Sequence, residues 1–201
     1  MSDFAPTSCF TNALLTDKYQ LSMAYAYFKN GTHCCSAVFD LYFRKNPFHG
    51  EFTVFAGLEE CLRFIANFRF NDDELAFVRS LYPHADKAFF DWLSKVCVLV
   101  CWLFVRVCFL FGVCLFMFHS LFSQVDSSGV AVYACDEGSL VFPNVPLLRI
   151  EGPLAVCQLL ETTLLVLVNF ASLVATNAAR HCIAAGPRSS VVEFGLRRAQ
   201  A

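Results

Sequence analysis

Residues 146–185 read PLLRIEGPLAVCQLLETTLLVLVNFASLVATNAARHCIAA, and how this stretch folds decides the architecture. Pro146 and Pro153 bracket a strand-like run, and the residues from Pro153 to Ala185 are apolar enough to predict one long helix. Its widely spaced polar points, Glu161, Asn169 and Asn177, recur every eight residues. At 100° per residue each step leaves them about 80° beyond two full turns, so they spiral around the helix instead of forming a stripe. A helix apolar nearly all round lies in a protein core or in a membrane. Asn169, Asn177 and Arg180 would be costly in lipid, which predicts a core helix.

Working outward, Ser36 to Arg44 alternates cleanly. Ala37, Phe39, Leu41 and Phe43 share one face, and Val38, Asp40, Tyr42 and Arg44 share the other, as in a half-buried strand. Lys45-Asn46-Pro47 ends it. Short strands are predicted over Glu51–Phe55, Val130–Ala134, Leu140–Phe142 and Val191–Leu196, with a turn at Asp136-Glu137-Gly138. Helices are predicted from Asp17 to Asn30-Gly31, over Leu58–Phe68, from Asn71 through Leu81 to the stop at Pro83, and over Lys87–Lys95. The acidic group Asp72-Asp73-Glu74 sits where a helix N-terminus favours negative charge. Alternating strands and helices indicate an α/β or α+β class. The last strand runs to within five residues of Ala201, which predicts that further sequence belongs with it.

The 201 residues are 57% hydrophobic and 16% charged, with a formal net charge of −2. That balance argues against nucleic acid as a partner, because no basic surface is available to meet phosphates. Much of the apolar bias comes from residues 96–124, which hold a single charge, Arg106; the other 172 residues carry 31 charges, about 18%. Of the eleven cysteines, Cys97, Cys101, Cys108 and Cys114 fall in that run. The remaining seven are scattered, with no C-x-x-C pair and no histidine cluster, so no metal site is expected. Free thiols and an N-terminus lacking a signal-peptide pattern predict a reducing cytoplasm. The Asn30-Gly31-Thr32 triplet matches a glycosylation acceptor, a pattern that carries meaning only in a secreted chain.

Three segments carry a resemblance. They are LLTDKYQLSMAYAYF (14–28) with AVFDLYFRKNPFHGEFTVFAGLEECLRF (37–64), EGSLVFPNVPLLRIEGPLAVCQLLETTLLVLVNFASLVATNAARH (137–181), and EFGLRRAQ (193–200). Together they resemble nicotinate phosphoribosyltransferase, which joins nicotinate to phosphoribosyl pyrophosphate in NAD biosynthesis. The resemblance implies an open α/β sandwich belonging to a type II phosphoribosyltransferase, followed by an irregular α/β barrel of which only the first strand is present. The implied organisation is sandwich over 1–95, an insertion over 96–124, the rest of the sandwich and linking helices over 125–190, and the start of the barrel over 191–201.

The resemblance also implies site residues. Tyr19 of TDKYQ and Phe194 of EFGLRR would sandwich the flat, electron-poor pyridine ring, Tyr19 reaching into the site of the other subunit of a homodimer. Arg197, Arg198 and Arg44 would lie near the phosphates of the co-substrate, where guanidinium forks bind oxygens in pairs. Without the resemblance, Tyr19 reads as a buried helix aromatic and each arginine as a solvated charge. ATP and a divalent ion, Mg2+ or Mn2+, are implied as cofactors. The family's phosphorylated histidine lies beyond the matching segments, so no catalytic residue is assigned here and His33, His49, His84, His119 and His181 receive no role. An incomplete barrel predicts a chain inactive alone and prone to aggregate.

Residues 96–118, VCVLVCWLFVRVCFLFGVCLFMF, are long enough to span a bilayer. Arg106 near the middle opposes insertion by roughly 2.5–3.5 kcal/mol. The borders of 96–124 suit a splice junction better: valine codons begin GT, glutamine can be CAG, and Leu121-Phe122-Ser123 can be written almost wholly in pyrimidines. A translated, in-frame retained intron is therefore expected, and a transcript joining the Lys95 and Val125 codons checks it. The alternative is a membrane-anchored, non-catalytic partner that dimerises with a full-length enzyme; it places the chain at a membrane through 96–118.

Overall fold

The computed structural model describes residues 10–96, 99–100 and 129–195. Five helices and six strands follow in the order α1 (Lys18–Lys29), β1 (Ser36–Leu41), β2 (Thr53–Val54), α2 (Leu58–Asn67), α3 (Asp72–Leu81), α4 (Lys87–Leu93), β3 (Leu99–Val100), β4 (Gly129–Ala134), β5 (Leu140–Val141), β6 (Leu148–Pro153) and α5 (Leu154–Ala185). The membrane-helix reading of 96–118 falls mostly outside the described residues; where its start is described, Leu99–Val100 is strand.

The main sheet has the order β1-β6-β4-β3, with β6 antiparallel to both β1 and β4 and β3 parallel to β4. Register sets its two faces. Phe39, Ile150 and Val132 are aligned across three strands on the face that α5 covers, and so are Leu41, Leu148 and Ala134. Val130, Leu148 and Ile150 are each at most 3% exposed. The opposite face carries Val38, half exposed, and the row Asp40, Arg149 and Tyr133. There the Arg149 guanidinium donates to both Asp40 oxygens, at 2.8 and 3.0 Å. The hydrogen-bonded guanidinium holds the Asp40 carboxyl below its usual range. Helices thus lie on one side of a sheet whose other side is polar.

α5 is the central element. It packs on α1, α2, β1, β2 and β6, and Ala155, Cys157, Leu159, Leu160 and Leu164 are buried along it. It is the one helix among the described residues long and apolar enough to cross a membrane, and half of that apolar window is buried inside the protein. Its polar residues also hold structure together. Thr176 Oγ1 accepts from Val54 N at 2.9 Å, and Ser172 Oγ accepts from Ala56 N at 3.1 Å and donates to Ala56 O at 3.2 Å. These hydroxyls serve the edge of β2 opposite β5, where a third strand would otherwise be needed. Thr176→Val keeps the shape but strands the part-buried Val54 N–H, at a cost of about 1 kcal/mol. The check is the urea unfolding midpoint, which should fall with no change in slope.

Local signals explain the helix ends. Asn71 and Glu74 form a reciprocal capping box at the start of α3. α2 is capped from a distance: Glu137 Oε1, in the turn before β5, accepts from Gly57 N at 2.5 Å and Leu58 N at 2.9 Å. At α1, Asp17 occupies the N-cap position but its side chain does not cap. Instead Thr162 of α5 donates to the Asp17 carboxylate at 3.5 Å. α4 contributes Phe89 and Trp92 to an aromatic cluster with Tyr25, Phe28 and His33, rings 4.8–5.9 Å apart.

One expected element is absent. Residues 191–195 form no strand, and Val191, Val192 and Phe194 are exposed. A strand needs a neighbour for its backbone groups, and this segment pairs with none of the described strands.

Candidate functional site

Tyr19 stands on the first turn of α1, 51% exposed, beside a polar network that enters the core. Gln20 Nε2 donates to the Tyr19 hydroxyl at 3.1 Å. Gln20 is fully buried and accepts from Gln158 Nε2 of α5, which also donates to Glu161 at 2.9 Å. Tyr27 closes the chain by donating to Gln158 Oε1 at 3.3 Å. The Glu161 charge, followed by burial and the Asp17 charge, holds the Tyr19 phenol above its ordinary range. The result is a ring tethered at its hydroxyl with much of its surface open to solvent, which is what stacking on a flat partner requires. Sequence reading singled out Tyr19 but missed Gln20 and Gln158. A signal was present: Gln158 and Glu161, three residues apart, share one face of a helix that is otherwise mostly apolar.

Arg44 lies elsewhere, exposed in the segment that follows β1. Next to it opens a cleft of about 490 Å³, lined mainly by apolar side chains of Leu41, Phe43, Leu147 and Leu165, with Lys45 and Asn169 among its polar groups. Arg180 of α5 reaches the same loop, donating to Pro47 O at 3.4 Å. Phe194 is 90% exposed. Among the described residues no hydrogen bond, ion pair or ring contact joins any two of Tyr19, Arg44 and Phe194, so the structure does not bring them together within one chain. Arg197 and Arg198 lie outside the described residues.

The other reactive groups are poor candidates. Burial pushes the Cys61 thiol up to about 12 and the Cys157 thiol to about 11, leaving both un-ionised and inert. His33 packs its ring against both Phe28 and Trp92, as a packing residue. No group of three or more His, Cys, Asp or Glu side chains among the described residues could hold a metal ion.

The comparisons give this geometry its context. A family profile described as the nicotinate phosphoribosyltransferase (NAPRTase) N-terminal domain matches residues 14–99. Over 195 residues the chain is 51% identical to nicotinate phosphoribosyltransferase of Dictyostelium discoideum, covering 97% of this chain and 28% of the relative. It is 52% identical to nicotinate phosphoribosyltransferase 2 of Arabidopsis thaliana, covering 97% and 30%. The crystal structure of human nicotinic acid phosphoribosyltransferase superposes with a TM-score of 0.69 at 44% identity, covering 94% of this chain and 32% of that one. The chain therefore spans about 30% of the length of the curated relatives it matches.

Proposed function

Because the chain belongs to the nicotinate phosphoribosyltransferase family, we propose that it is the N-terminal part of an ATP-dependent enzyme forming nicotinate mononucleotide from nicotinate and phosphoribosyl pyrophosphate. The observation that carries this reading is likeness in sequence and fold together: 44% identity and a TM-score of 0.69 across 94% of the chain. The part supplied here is the open sandwich, with an exposed aromatic residue at its surface.

In this reading Tyr19 stacks on one face of the pyridine ring. Among the described residues no ring contact joins Tyr19 to another aromatic, which suits a ring serving a second subunit of a homodimer. Phe194 would supply the other face, and Arg197, with Arg198 and Arg44, would meet the phosphates. Transfer separates pyrophosphate from a positively charged ribose carbon while the pyridine nitrogen attacks, so these groups act by positioning and charge stabilisation. Mg2+ or Mn2+ would assist on the pyrophosphate, but the described residues offer it no ligand set, and no step is assigned to it. Cytoplasmic location is part of the proposal. It is supported by α5, whose apolar length is accounted for by its buried half and by its bonds to β2.

The test is a chimera in which residues 1–95 and 125–200 of this chain replace the matching part of the Dictyostelium discoideum enzyme. Product should form with ATP, while the 201-residue chain alone forms none. Tyr19→Ala in the chimera should lower kcat/KM for nicotinate about two- to tenfold, the loss of one stacked face at about 0.5–1.5 kcal/mol. A chimera that unfolds cooperatively yet makes no product would sink the proposal.

A further inference from the structure

We infer that the bare side of α5, from Leu165 to Ala178, and the cleft beside it are the seat of the carboxy-terminal part of a nicotinate phosphoribosyltransferase, whose apolar side chains cover them. The identity of that occupant rests on the functional reading. The need for an occupant rests on the helix itself.

α5 changes character along its length. From Ala155 to Leu160 every residue is buried, so the first part of the helix is enclosed on all sides. From Leu165 onward only one side stays enclosed. Val168, Ser172 and Thr176 face the core at steps of four, whereas Leu165, Val166, Phe170 and Val174 are 39%, 47%, 60% and 38% exposed on the other side. At 1.5 Å per residue this bare stripe is about 20 Å long. It carries no charge, since residues 162–179 contain no Lys, Arg, Asp or Glu. The outer side of α3, by contrast, presents Asp72, Asp73 and Arg79 to water. The stripe runs into the cleft of about 490 Å³, which is lined by Leu165, Val166, Asn169 and Leu173 of α5 and by Tyr42 and Phe43 after β1. A continuous apolar surface with an aromatic ring and no charge has the composition of the centre of a protein interface.

The occupant follows from what the relatives have and this chain lacks. More than two thirds of each relative lies outside the match, and the profile over residues 14–99 is that of an amino-terminal domain, so the missing part follows this one. It would enter within reach of the stripe. α5 ends at Ala185, ~17 Å along the helix from Val174. Residues 186–195 leave that end with Val191, Val192 and Phe194 exposed, and ten residues span up to ~33 Å. A segment joined to them can therefore fold back over the whole stripe. Lipid suits it less well: half of the apolar window of α5 is buried inside the protein, and Asn169 stands exposed on the bare side.

Hydroxyl-radical footprinting, which oxidises side chains according to their exposure, tests this without any substitution. In the full 201-residue chain Phe170 should react about as fast as Phe77, which is 52% exposed on α3. In the chimera carrying the rest of the Dictyostelium discoideum enzyme, Phe170 should react about fivefold more slowly than in the 201-residue chain, while Phe77 keeps its rate. Equal rates for Phe170 in the two proteins overturn the inference. So does protection already present in the 201-residue chain and lost on dilution, which would assign the face to a second copy. Protection that appears only when phosphatidylcholine vesicles are added would assign it to lipid and overturn the inference as well. If the chimera does not fold, the natural Dictyostelium discoideum enzyme takes its place: residues matching Leu165 to Val174 that react as fast in the folded enzyme as in urea overturn the inference. A chimera that makes product with Phe170 unprotected counts against this inference alone, and one that protects Phe170 but makes no product counts against the functional reading alone.

Discussion

Gly57→Ala should lower stability by about 4 kcal/mol, the sum of backbone strain and crowding at one position. Gly57 precedes α2 with φ at +98°, a conformation that strains an L side chain by about 1–3 kcal/mol. Unlike most such glycines it has no room either. A Cβ there would lie 2.8 Å from the Leu167 carbonyl oxygen and 3.1 Å from the Ala171 Cβ, both on α5, and overpacking of this kind costs about 1–3 kcal/mol more. Backbone oxygen cannot rotate away, so α2 or α5 must shift. A shift of α2 also loosens the two hydrogen bonds through which Glu137 caps it. The midpoint of thermal unfolding should fall by roughly 10 °C. Gly138→Ala is the control: its φ is +83° but nothing lies within 4 Å, so only the strain remains. Equal losses for the two variants would show that crowding at α5 plays no part.

Deleting residues 96–124 should leave the fold intact and raise soluble yield several-fold. After deletion Val125 follows Lys95, in the place of Val96, which is buried at 7% exposure. One valine replaces another at a core position. The gap closes as well. Val96 is three steps, at most ~11 Å, from Leu99. Leu99 is the ladder partner of Gly129, and neighbouring strands are about 4.8 Å apart. With those legs perpendicular the span is ~12 Å, and the four steps from Val125 to Gly129 cover ~14 Å. What is lost is β3, a two-residue parallel pairing at the edge of the sheet. What is removed is a run with one charge in 29 residues. The shortened chain should keep a single cooperative transition within a few degrees of the original; its disappearance would show that the segment belongs to the fold.

Much of this architecture was legible because local signals agree with tertiary ones. The alternation in Ser36–Leu41 matches the observed exposure residue by residue, the acidic start at Asn71–Glu74 became a capping box, and the apolar stretch after Pro153 became a 32-residue core helix. Three features were not legible, each because its cause is distant in sequence. Gly57 is required by a carbonyl on α5. Gln20 and Gln158 look like ordinary polar residues until the packing of α1 on α5 joins them. The strand expected over Val191–Leu196 has the right composition but no described neighbour to pair with. For the candidate site, the resemblance supplied Tyr19, Phe194 and the arginines, and the structure added what surrounds Tyr19. Composition and spacing alone would have placed Tyr19 in the core, whereas it is 51% exposed.

The hydroxyls of Ser172 and Thr176 also set an order of events during synthesis. β2 is two residues long and is completed on one side by β5 and on the other by α5, while β1 pairs with β6. Nothing in the first 95 residues closes its own sheet, so the amino-terminal half must wait as an open intermediate until α5 has left the ribosome. At about 5–20 residues per second, the 29 residues of 96–124 lengthen that wait by roughly 1.5–6 s. The run of apolar residues therefore lengthens the time before α5 arrives to cover α1 and α2, on which it packs in the finished fold.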